Sequence, residues 1–123
     1  MSRVFVIAEA GVNHNGDIKI AKQLIDAASD AGADAVKFQT FQADSLVCRT
    51  ARKANYQLET TDRAETQYDM LKKLELTQQM HQELMEYCVA KNIMFLSTPF
   101  DLASIELLSE LGIQIYKIPS GEI

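Results

Sequence analysis

The chain has 123 residues, enough for one ordinary domain with one core, and carries a net charge of −5. Hydrophobic residues make up 47% and charged residues 24%; that balance excludes a disordered chain, and the acidic total excludes general nucleic-acid binding, which needs a basic surface. No apolar run reaches the roughly 18 to 20 residues of a membrane span, and Glu9 interrupts the short N-terminal run where a signal peptide would stay apolar, so a cytoplasmic protein with no membrane partner is expected.

In chain order, residues 4–8 (VFVIA) are a β-branched apolar run and predict the first strand. GVNHNG, residues 11–16, is loop-like, and its glycines fit no dinucleotide fingerprint. Ile18, Ala21, Leu24, Ile25 and Ala28 follow helical spacing up to Gly32, a natural stop. AVKFQT, residues 35–40, predicts the second strand. A long polar connection follows from about Phe41 to Thr61, longer than an ordinary connection and therefore either functional or disordered. Tyr68, Leu71 and Leu74 mark one further helix; Met80, Leu84, Tyr87 and Cys88 mark another, with Thr77 as its N-cap. IMFLST, residues 93–98, predicts the third strand. Asp101 caps a short helix expected to turn Leu102, Ile105, Leu108 and Leu111 inward and to end at Gly112. IQIYKI, residues 113–118, predicts a fourth strand. Strands alternating with helices imply an α/β fold with a parallel sheet and right-handed crossovers, and nearly continuous apolar strands imply burial on both faces.

Each predicted strand turns polar at its C-terminal end. The first ends in Glu9; the second carries Lys37 and Gln39; the third ends in Ser97 and Thr98, followed by Phe100; the fourth carries Lys117, then Ser120 and Glu122. Side chains two apart share a strand face, so Lys37 and Gln39 point the same way. Parallel α/β sites lie at the carboxyl ends of strands, in barrels and open sheets alike. Two lysines with Gln39, Thr98 and Ser120 suit a phosphate or carboxylate, while Glu9 and Glu122 suit orienting hydroxyls or moving protons. Plainer roles stay open at this point: a strand-end lysine can snorkel to solvent, Thr98 and Ser120 can be turn residues, and Phe100 can be packing. His81 reads as a surface or half-buried helix residue, and Met80, Leu84 and Cys88 as core. Cys48 and Cys88 show no CxxC spacing and read as reduced thiols. Neither His14 nor His81 forms a metal signature with its sequence neighbours.

The stretches VIAEAGVNHNGD, AGADAVKFQTF, KANYQLETT, MLKKLELT, FLSTPFD and YKIPSGE together resemble the bacterial N-acetylneuraminate (sialic acid) synthase family, in its order and spacing, over nearly the whole chain. Relatives that make legionaminic and pseudaminic acids share most of these motifs. The resemblance implies a TIM-type (β/α)8 barrel followed by a small antifreeze-protein-like domain. With a complete barrel taking about 250 residues, residues 1–123 are expected to be its N-terminal half, with about the first four strands. The implied reaction condenses phosphoenolpyruvate with N-acetylmannosamine, or a related N-acyl hexosamine, and releases phosphate. It implies a divalent metal, manganese or magnesium, whose ligands lie outside this chain, and a homodimer. Lys37 and Lys117 match the phosphoenolpyruvate-binding lysines, and Glu9 a carboxylate that orients the sugar or moves a proton. Gln39, Thr98 and Ser120 match residues near the phosphate, the carboxylate or the sugar; Phe100 and Glu122 match residues beside the sugar. The chain is expected to be inactive alone. One alternative is a non-catalytic half barrel that self-associates or complements a separate C-terminal half; a lower-ranked one is an aldolase using Lys117 as a Schiff base.

Overall fold

The computed structural model describes residues 3–46 and 59–123, with side chains in the second run described from residue 67. Three strands, β1 (Ile7–Gly11), β2 (Ala35–Thr40) and β3 (Met94–Pro99), form one parallel sheet in the order β1-β2-β3. Among the described residues, helices α1 (Ile18–Asp30), α2 (Glu59–Leu74), α3 (Gln78–Ala90) and α4 (Leu102–Glu110) connect or follow them. The helix starts follow side-chain chemistry. Asp17 accepts from the N–H of Lys19 and Ile20, Thr77 from Met80, and Asp101 from Ser104, each satisfying amides that lack an intrahelical partner. Asp101 also accepts from the N–H of Gln42 at 2.8 Å, which ties the segment after β2 to α4.

The core lies between the sheet and helices α1 and α3. Val36, Phe38, Phe95 and Ala10 face Ala21, Ile25, Ala28, Leu84 and Cys88 across it, and Phe38 stacks on Phe95 with ring centroids 5.6 Å apart. Helices cover this one face. On the other, Glu9 and Ile7 are exposed, so burial on both faces, expected from the apolar runs, does not hold along β1.

Four further expectations are corrected. The first strand begins at Ile7, because Ile7 pairs with Ala35, the first residue of β2; residues 4–6 run past the ladder and are exposed. Residues 113–119 are not a strand: they carry no ladder, residues 114–118 are exposed, and three strands make the sheet. Apolar alternation alone cannot make a strand without a partner's N–H and C=O groups. In α4, Leu108 is buried, but Leu102 and Ile105 are exposed, since only one side of this short helix meets β3. His81 is fully buried rather than at the surface or half-buried. The polar connection after Phe41 lies largely outside the described residues, as does Cys48. Cys88 is a buried free thiol, its pKa pushed up to about 12 by burial, which keeps it neutral and unreactive.

Candidate active site

Register builds the site. Glu9 on β1 pairs with Lys37 on β2, and Lys37 with Leu96 on β3; one layer further on, Gln39 pairs with Thr98. Because alternate residues share a face, Glu9, Lys37, Gln39 and Thr98 all project to the side away from the helices. Between Glu9 and Gly11 the ladder shifts register, which turns the end of β1 into the 12–16 turn beside the cleft. The extended segment 113–119 and the helical turn Ser120–Glu122 close the far wall.

The result is a cleft of about 500 Å³ lined by all eight residues expected there: Glu9, Lys37, Gln39, Thr98, Phe100, Lys117, Ser120 and Glu122. Gly11, Val12, Asn13, Pro119 and Gly121 complete it. The first three were legible only as a turn, although a turn placed at the carboxyl end of a parallel strand is itself a sign of a site.

Lys37 is held at the floor. Its side chain is 16% exposed and its Nζ lies 2.7 Å from Glu9 Oε2, while the Glu9 side chain is 51% exposed. An ammonium has three hydrogens, so one bond to Glu9 leaves two for a ligand. Lys117 stands on the opposite wall and donates to the carbonyl of Ile118 at 3.0 Å. Thr98 is buried, and Ser120 and Glu122 are exposed at the rim. Two lysines and two glutamates balance the cleft, so it is not a bare cationic hole. It offers cations, neutral donors and a carboxylate within one volume, the set needed to hold an anion beside a group that gains or loses a proton.

Among the described residues, no three His, Cys, Asp or Glu side chains converge as a metal centre would require. Of the two carboxylates lining the cleft, Glu9 is engaged by Lys37. The described residues do not fit a divalent ion by themselves.

A family model described as the NeuB family matches residues 24–123. The N,N'-diacetyllegionaminic acid synthase of Campylobacter jejuni subsp. jejuni serotype O:2 is 56% identical over 123 residues, covering 100% of this chain and 37% of the relative. The enzyme of the same name from Legionella pneumophila is 56% identical over 119 residues, covering 97% and 33%. Among solved structures, the N-acetylneuraminic acid synthetase of Leptospira borgpetersenii serovar Hardjo-bovis, in complex with citrate, superposes with a TM-score of 0.75 at 34% identity, covering 95% of this chain and 36% of that one. The chain therefore spans about a third of the length of the curated relatives it matches. The three-stranded parallel sheet with its helices is part of a TIM-type barrel.

Proposed function

The chain belongs to the NeuB family, and on that premise we propose that its cleft is the phosphoenolpyruvate side of a synthase site in nonulosonic acid biosynthesis. The co-substrate is N-acetylmannosamine or a related N-acyl hexosamine. One observation carries the reading: Lys37 and Lys117 come from separate segments to one cleft that also holds Gln39, Thr98, Ser120 and Glu9. Phosphoenolpyruvate presents a phosphate and a carboxylate, which call for cations together with neutral donors. In this reading the lysines neutralise the phosphate and carboxylate, and the Thr98 and Ser120 hydroxyls and the Gln39 amide fix their oxygens. Phe100 and Glu122 border the sugar. Glu9 orients a sugar hydroxyl or moves a proton, with Lys37 holding its carboxylate in place. The enol carbon attacks the sugar's open-chain aldehyde, forming a C–C bond. Water then adds to the resulting cation, and phosphate leaves with cleavage of its C–O bond.

The sialic and legionaminic acid synthases among the relatives support this chemistry. The citrate in the Leptospira structure, a small polycarboxylate, is consistent with an anion-binding protein. A divalent cation, manganese or magnesium, belongs to the proposal, with ligands that the described residues do not supply, as do a homodimer and a cytoplasmic setting. Supplied with phosphoenolpyruvate, N-acetylmannosamine and manganese, the isolated chain should release no phosphate above background, yet it should shift or broaden the phosphoenolpyruvate ³¹P resonance. Substantial turnover contradicts the first expectation, and an unperturbed resonance at millimolar ligand contradicts the second.

A second reading, a non-catalytic half barrel that pairs with itself or with a separate half, is favoured by exposed Val4, Phe5, Ile115 and Ile118. A monomer by light scattering at micromolar concentration would remove it.

A further inference from the structure

Behind the cleft, on the helix side of the sheet, Thr40, Ser97 and His81 are all fully buried and polar. His81 Nδ1 lies 2.7 Å from the Thr77 carbonyl. A carbonyl only accepts, so Nδ1 carries the proton and, in the neutral ring, Nε2 is a bare acceptor. Thr40 Oγ1 sits 2.8 Å from that Nε2 and therefore donates to it. Its single hydrogen is then used, so the 2.6 Å contact with Ser97 Oγ must run from Ser97 to Thr40. Every hydrogen in the relay has one direction: Ser97 to Thr40 to His81 to the backbone at the start of α3.

The relay is costly to build. Three polar side chains are taken out of water to form it, and an apolar filling of the same shape would stabilise the fold at least as well. What a fully satisfied polar network adds is a single geometry. Its place in the register says which geometry. Thr40 directly follows Gln39 on β2, and Ser97 directly precedes Thr98 on β3; Gln39 and Thr98 pair across the ladder and project into the cleft. A rotation of either strand end moves both faces together. The Phe100 N–H to Thr40 carbonyl bond, at 3.0 Å, anchors the same corner.

We propose that Thr40, His81 and Ser97 are positioning residues that lock the carboxyl ends of β2 and β3, and so set the spacing of Gln39 and Thr98 for the anion they hold. This rests on the proposed function for the identity of that anion, but not for the geometry.

Two measurements on the full chain test it. In the first, Thr40→Val, which keeps the shape and breaks the relay, is compared with Thr40→Ser, which keeps the hydroxyl. Thr40→Val should weaken phosphoenolpyruvate binding about tenfold, on the scale of one lost hydrogen bond, and Thr40→Ser should stay within about twofold of that scale's origin. A folded Thr40→Val chain that binds as the parent does would overturn the proposal. In the second, NMR without ligand follows the Gln39 side-chain amide, the Thr98 methyl group and the His81 ring nitrogens. Thr40→Val should displace the Gln39 and Thr98 signals and Thr40→Ser should not, with His81 as the Nδ1–H tautomer in the parent. Unmoved signals, or an Nε2–H tautomer, would overturn it. Should the parent chain not bind phosphoenolpyruvate, the functional reading fails, and the ligand-free spectra alone decide the relay.

Discussion

At the scale of single residues, charge and burial separate the two histidines from the cleft. His14 and His81 are fully buried, and burial holds both below the usual imidazole value of 6.5, with each other's proximity adding to the effect at His14. The folded chain therefore resists protonation that the unfolded chain accepts. The stabilisation is complete above about pH 6.5 and is lost as pH falls below it toward the lowered folded values. The thermal midpoint should be flat from pH 8 to 7 and drop between pH 6.5 and 5, and His81→Gln should flatten part of that drop; a midpoint independent of pH would contradict the assignment. His14 Nδ1 accepts from the Gly16 N–H at 2.8 Å, so Nε2 carries the hydrogen, and it has no partner among the described residues. That raises the cost of burying this ring. The polar cleft residues were legible in the sequence because each stands in or just after the end of an apolar run, whereas Phe100 was singled out only by its place beside Thr98. The relay was not: Thr40 and Ser97 looked like ordinary strand-end residues, and only tertiary packing shows that they face inward toward His81. The one available hint was spacing, since His81 shares the helical stripe of Leu84 and Cys88, both buried.

At the scale of elements, helices were read more faithfully than strands. A helix satisfies its backbone within itself, and its caps are local chemistry, so Thr77 and Asp101 announced two starts, and Asp17 caps a third in the structure. A strand depends on a partner far away in sequence. The register of β1 is set by where β2 begins, and residues 113–119 have the alternation of a strand without a ladder. The turn between β1 and α1 is also tertiary. Gly16 has φ +76°, and a Cβ there would lie 1.8 Å from the Lys73 carbonyl oxygen at the end of α2. Gly112 has a similar φ, +86°, but a Cβ there would meet nothing within 4 Å among the described residues. Gly112→Ala should cost only the backbone penalty of about 1–2 kcal/mol. Gly16→Ala should cost clearly more, because backbone must move, and the urea midpoints of the two variants report the difference. Equal midpoints would show that α2 does not press on this turn.

At the scale of the whole molecule, three parallel strands covered by helices on one face make an arc of a barrel, and the cleft lies on its inner side at the carboxyl ends of the strands. The arc explains why every expected cleft residue converges even though the predicted fourth strand does not form. Lys117 and Ser120 reach the cleft from an extended segment, whose path across the strand ends is enough to place them. Within the cleft the Lys37 ammonium rests on the Glu9 carboxylate. The central claim is that this cleft recognises phosphoenolpyruvate through two lysines, and calorimetric titration tests it most directly. The parent chain should bind phosphoenolpyruvate, and Lys37→Met and Lys117→Met should each weaken binding by roughly tenfold to a hundredfold, the range for hydrogen bonds to a charged group. Binding that is unchanged in both variants, or absent from the folded parent, would contradict it.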